Sequence, residues 1–148
     1  MLPRPSRLHL IALILVGVTL AALTSGCASV EKDKRHNALQ AATYRYHTAI
    51  RWSYFDTAYG LLDPELRAEE PMPDLSGIRV TGYEVIRPLT LPDENSAEQL
   101  VLIDYLHEDT QVLRQVSDAQ TWRWDAERET WWLHSGLPDF ERPASAIR

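Results

Sequence analysis

The chain has 148 residues and carries 15 lysines and arginines against 21 aspartates and glutamates, a net charge of −6. That length holds one domain, and the acidic balance argues against the broad basic face with which a nucleic-acid binder collects phosphates, so no nucleic-acid partner is expected. With 45% hydrophobic and 24% charged residues, the composition is that of a globular chain and not of a disordered one.

The opening segment has three parts. Arg4 and Arg7 are basic, residues 10–23 are an apolar run of 14, and Thr24, Ser25 and Gly26 are small and end at Cys27. A basic start, a greasy middle and small residues before a cut are the marks of an export signal. Crossing a bilayer as a helix takes about 20 apolar residues, so this run favours a removable leader over a permanent span.

Cys27 is the sole cysteine of the chain, which rules out an internal disulfide. It also has no neighbouring partners of metal-ligand type. Leu23, Ser25, Gly26 and Cys27 resemble the lipobox of bacterial lipoproteins. The resemblance implies cleavage before Cys27, a diacylglycerol thioether on its sulfur and acylation of the new amino group. Several buried acyl chains, at about 0.8 kcal/mol per CH₂, exceed what stable anchoring requires. Ala28 and Ser29 lack the aspartate that retains such proteins in the inner membrane. The implied location is therefore the inner leaflet of the outer membrane, facing the periplasm.

Residues 1–26 hold two arginines and no acid, so the expected mature chain has 13 basic against 21 acidic side chains, a net −8. Such a domain is repelled by anionic lipid and is held by its acyl chains instead of by charge. Residues 27–37 read as the lipidated cysteine and a polar spacer, reaching at most ~35 Å when extended. Residues 38–140 read as a single domain, and residues 141–148 as a tail.

Within that domain a helix is expected over about 32–52, with Leu39, Ala42, Tyr46, Ala49 and Ile50 on one face and Tyr44 and Trp52 widening it. Ser53 and Asp56 have capping-box spacing, which predicts a second helix carrying Phe55, Ala58, Tyr59, Leu61 and Leu62. Asp63 and Pro64 end it and suit the cap and first position of a further short turn. A loop follows over residues 69–74. The period then changes to two. Strands are expected from Ile78 to Ile86, with a bulge at Gly82 and a stop before Pro88, and from Glu98 to Glu108, covered on both faces. Two more are expected from Gln111 to Trp124 and from Thr130 to Ser135, joined by a short charged hairpin loop.

Helices followed by antiparallel strands predict an α+β domain, with N-terminal helices packed on one face of a curved sheet of about four strands. The segment Phe55-Asp56-Thr57-Ala58-Tyr59-Gly60-Leu61-Leu62-Asp63-Pro64 resembles the second helix of NTF2-like (cystatin-like) domains. That resemblance covers residues 36–136 and implies a cavity between helix and sheet.

Two groups of residues are candidates for chemistry. Trp122, Trp124, Trp131 and Trp132 crowd one hairpin and read either as cross-strand packing or as an exposed platform for a sugar, a peptide or a lipid tail. Tyr46, Asp104, Tyr105, His107 and His134 are the polar residues that a helix–sheet cavity would draw on. None of the histidines has metal-ligand spacing, and no phosphate loop, nucleophile elbow or HExxH sequence is present, so neither a metal nor a cofactor is expected. The resulting expectation is a lipid-anchored envelope protein, membrane-attached through Cys27, acting as a non-catalytic binding module for an envelope protein, a peptide or a glycan. The alternative is an enzyme or small-ligand carrier using the cavity.

Overall fold

The computed structural model describes the backbone of residues 7–141 and the side chains of residues 29–141. The lipobox side chains of Leu23, Ser25, Gly26 and Cys27, and the tail 142–148, lie outside these. The chain divides into two units, Met1–Asn37 and Ala38–Arg148. Among the described residues no helix is long and apolar enough to cross a membrane.

Helix α1, Arg7–Arg51, runs through residues 28–37 without a break, so the expected spacer is helical throughout and the helix does not begin at about 32. Glu31, Lys32, Lys34 and Arg35 are good helix formers, and Arg35 Nε meets Glu31 Oε1 one turn away at 3.4 Å. Ten helical residues rise about 15 Å, under half the extended reach.

In the second unit α1 buries Leu39, Ala42, Tyr46, Ala49 and Ile50, the face that periodicity predicts. Tyr44 and Trp52, expected to widen that face, are 70% and 63% exposed. The helix ends in a Schellman motif: Ser53 N–H donates to Ile50 O and Tyr54 N–H to Ala49 O, at 2.9 and 2.8 Å. Ser53 takes the left-handed conformation that this closure requires, with φ of 57°. The expected capping box does not form. Helix α2, Phe55–Tyr59, starts after Tyr54 without a side-chain cap, because Ser53 Oγ instead accepts from Val80 N–H at 2.9 Å. Leu61 and Leu62 lie beyond its end.

Helix α3, Pro64–Glu69, has the predicted cap. Asp63 Oδ1 accepts from Glu65 N–H at 2.9 Å and Leu66 N–H at 3.2 Å, with Pro64 at the first position.

The sheet has four antiparallel strands in chain order: β1 (Ile78–Thr90), β2 (Ser96–His107), β3 (Leu113–Asp125) and β4 (Thr130–Leu133). β1 passes through Pro88, where a stop is expected. It is an edge strand, so a residue with no N–H to donate costs it no ladder bond on the open side. Register shifts occur after Val80, as expected at Gly82, and twice more between Val85 and Thr90. At the other edge the backbone of Leu61–Asp63 runs beside β4, with Leu133 N–H donating to Leu61 O and Asp63 N–H to Leu133 O. The hairpin loop is held by Asp125, whose carboxylate accepts from Glu127 N–H, Arg128 N–H, Arg128 Nη1 and Trp132 Nε1.

The fold is therefore α+β, one helix packed against a four-stranded antiparallel open sheet. The core lies between them: Val101, Ile103 and Tyr105 of β2, Val116 and Trp122 of β3, and Trp131 and Leu133 of β4 are buried against the α1 face and against Phe55 and Ala58 of α2. β2 is central but is not covered on both faces. Leu100, Leu102 and Leu106 point away from α1 and stay half-exposed. Phe140 returns to the core beside Phe55 and Tyr105, and its carbonyl accepts from the Tyr105 hydroxyl.

Candidate functional site

The core face of the sheet is not uniformly apolar. In β3 the alternation that points Val116 and Trp122 inward also points Asp118 and Gln120 inward, and both are buried. Registration puts Gln99 of β2 opposite Gln120 and Val101 opposite Asp118, while Tyr83 and Val85 of β1 pair with Ile103 and Val101. Polar side chains of three strands thus meet under α1.

Gln120 is the centre of this cluster. Its amide nitrogen donates to Asp118 Oδ2 at 2.6 Å and to the Tyr83 hydroxyl at 2.9 Å. Its oxygen accepts from Gln99 Nε2 at 2.5 Å and from Trp122 Nε1 at 3.4 Å. Each hydrogen-bonding position of the amide is occupied, which is the condition under which a buried amide is tolerated. The Tyr46 ring packs edge-on against Trp122 at 5.7 Å, and its hydroxyl is buried without a hydrogen-bond partner among the described residues. His47, one position along α1, stacks on Tyr83 with ring centres 4.2 Å apart.

Burial sets the protonation of the cluster. The Asp118 carboxyl is pushed up to about 6 because burial disfavours its charge, with the Gln120 hydrogen bond opposing only in part. Tyr46 and Tyr83 are raised by burial and further by the nearby Asp118, so both remain neutral phenols at neutral pH. His47 is lowered by burial first and by Arg51 second, so it tends to neutrality.

A cleft of about 250 Å³ opens between α1 and the sheet above this cluster. Gln40, Thr43 and His47 line it from α1, Tyr83 and Val85 from β1, and Gln99 from β2, with Tyr44 at its edge. None of the lining side chains is an acid, a lysine or an arginine. The cleft offers amide, hydroxyl and imidazole groups and is below the ~300–1,000 Å³ of a drug-sized pocket, which suits a small neutral hydrogen-bonding group.

The residues singled out from the sequence are scattered. Trp122 and Trp131 are 0% and 1% exposed and belong to the core; Trp124 packs on Trp131 at 5.7 Å. Trp132 faces the other way and donates to Asp125 Oδ2 at 3.2 Å. The four do not form one exposed platform, because three of them share the inward face of the hairpin. Of the cavity candidates only Tyr46 joins the polar cluster. Asp104 alternates out of phase with Tyr105 and accepts from Gln115 Nε2 at 2.8 Å. Tyr105 is committed to Phe140, and His107 lies edge-on to Tyr105 at 5.9 Å. His134 Nε2 stands 3.4 Å from Asp63 Oδ2. That contact favours the imidazolium, yet burial outweighs it and the imidazole is lowered on balance. Among the described residues no group of three or more metal-ligating side chains converges.

Sequence reasoning missed Tyr83, Gln99, Asp118 and Gln120. The signal was there in β3, where Val116, Asp118, Gln120 and Trp122 fall on one phase of a period of two. Two polar residues in phase with a valine and a tryptophan mark a polar inset in a core face. Set beside known proteins, the chain matches no family model, and no curated protein matches it significantly.

Proposed function

We propose that this chain is a lipid-anchored protein of the cell envelope, attached through Cys27 and facing the periplasm, whose NTF2-like domain is a non-catalytic binding module. The observation that carries the binding reading is the convergence of Gln40, Thr43, His47, Tyr83 and Gln99 on one cleft, backed by the saturated amide of Gln120. Such a surface reads neutral donors and acceptors, as a glycan hydroxyl or a peptide amide presents them. It stands in place of the exposed platform that was one of two readings of the four tryptophans.

The long helix, two short helices and an antiparallel meander support the NTF2-like reading of the domain. Binding is favoured over catalysis because Asp118, the one carboxyl displaced toward neutrality among the described residues, does not line the cleft; a general acid must reach the reacting atom. The leader, the lone cysteine and the small residues before it support the anchor.

Two experiments test these halves separately. Cys27→Ser should move the protein out of the membrane fraction, and unchanged fractionation refutes the anchor. A photo-crosslinking side chain at Tyr44, beside the cleft, should capture a glycan or peptide in intact envelopes, whereas the same group at Leu113 should not. Equal capture at both positions, or none at Tyr44, refutes the binding site.

A further inference from the structure

At the C-terminal end of α1 a second depression, of about 320 Å³, is lined by Arg51, Trp52 and Ser53 and by Arg79, Val80 and Thr81 of β1. Arg51 and Arg79 are among its lining residues, and no aspartate or glutamate is. On a chain of net charge −6 that local balance runs against the whole, and two cationic residues on one depression with no acid among its lining favour an anion there. No described residue forms an ion pair with either arginine, whereas Arg35 and Arg128 each have one.

The depression is also built with some rigidity. The Val80 peptide is held at both ends, its N–H donating to Ser53 Oγ at 2.9 Å and its carbonyl accepting from Arg51 Nη1 at 3.3 Å. The Arg51 guanidinium lies over the Trp52 ring, 5.6 Å from its centre. Because Ser53 Oγ already accepts, its O–H remains a donor. Arg51 gives one of its five N–H groups to Val80 and keeps the others, Arg79 keeps its own set, and Thr81 adds a hydroxyl. With the Val80 carbonyl taken by Arg51, these side chains supply more donors than a two-oxygen carboxylate can use, a match to the three or four oxygens of a phosphate.

We propose that this depression is a phosphate-binding site in which Arg51 and Arg79, approaching from the helix end and the edge strand, clamp the oxyanion while Ser53 donates to it and Trp52 walls one side. It is separate from the neutral cleft and does not depend on what that cleft binds. The phosphate comes either from a soluble phosphomonoester or from a lipid whose headgroup is itself a phosphomonoester.

The test uses the full chain in dodecyl maltoside micelles, which contain no phosphate, and reads the indole N–H resonance of Trp52, assigned by its disappearance in Trp52→Phe. Inorganic phosphate, titrated at constant ionic strength against chloride, should shift that resonance saturably. Arg79→Gln, at an exposed position, should weaken the response at least tenfold, while the charge-matched Arg114→Gln should not. A shift on adding phosphatidic acid but not inorganic phosphate, again lost in Arg79→Gln, supports the site with lipid as its source. No Trp52 response to either probe overturns the proposal, as does a response that Arg79→Gln and Arg114→Gln alter equally.

Discussion

Gln120 donates its side-chain N–H to Asp118 Oδ2 at 2.6 Å, two residues away on the same inward face of β3. The bond links the one buried carboxyl among the described residues to an amide whose other positions are taken by Tyr83, Gln99 and Trp122.

The stability of the domain should carry the titration of Asp118. Its carboxyl is raised from 3.8 to about 6 by burial, so between these values the folded chain holds a proton that the unfolded chain releases. Stability from this group is complete below about pH 4, is lost as pH rises to about 6 and changes no further above that. At about 1.4 kcal/mol per tenfold change in proton affinity, the loss is on the order of 3 kcal/mol. Asp118→Asn keeps an acceptor for Gln120 and removes the charge. Denaturation midpoints from pH 4 to 8 should show the variant gaining on the parent as pH rises; parallel curves would disprove the buried carboxyl.

Histidines act in the opposite direction. Burial lowers both His47 and His134 below 6.5, so the unfolded chain takes up protons more readily, and each subtracts stability as pH falls below that value. His47→Gln with His134→Gln should flatten the loss of stability between pH 7 and 5, as read from melting temperatures. A slope unchanged by the double substitution counts against burial as the cause.

Ser53 should show two separable effects. Ser53→Ala keeps the left-handed strain and leaves Val80 N–H without its acceptor, at a cost of about 1–3 kcal/mol. Ser53→Gly loses the same hydrogen bond but relieves the strain at φ of 57°, so it should be more stable than the alanine variant by about 1 kcal/mol. Equal unfolding free energies for the two would remove the Schellman reading.

Gly82 cannot accept a methyl group without moving its neighbour. A Cβ there would stand 2.6 Å from Asp104 Oδ2 and 3.1 Å from Asp104 Cβ. Gly82→Ala should therefore cost about 1–3 kcal/mol as Asp104 leaves Gln115. Asp104→Gly in the same chain should recover most of it, and a double-mutant cycle measures the coupling. Strict additivity would show that the cost comes from elsewhere.

Neighbouring tryptophans should differ sharply. Trp131→Ala empties a core position and should cost about 3–5 kcal/mol, while Trp132→Ala, half-exposed, should cost about 1 kcal/mol through its hydrogen bond to Asp125. Chemical denaturation compares them directly, and similar losses would contradict the opposite facing of the two rings.

Periodicity and punctuation in the sequence suffice for the α1 core face, the Asp63 cap, the bulge at Gly82 and the order of helices and strands. Those features are set by spacing over a few residues, which is where local propensity and side-chain alternation act. Three others were decided only by long-range contact. Ser53 closes the end of α1 instead of capping α2 because the edge of β1 supplied Val80 N–H to its hydroxyl. Pro88 stayed in a strand because β1 has no neighbour on its outer side. The polar cluster beneath the cleft arose because registration of β1, β2 and β3 put Tyr83, Gln99 and Gln120 within hydrogen-bond reach, though they are 16 to 37 residues apart in the chain. Alternation along one strand says which way a side chain points. It cannot say which side chain of another strand it will meet, since that is fixed by pairing register and by the one helix that covers the face.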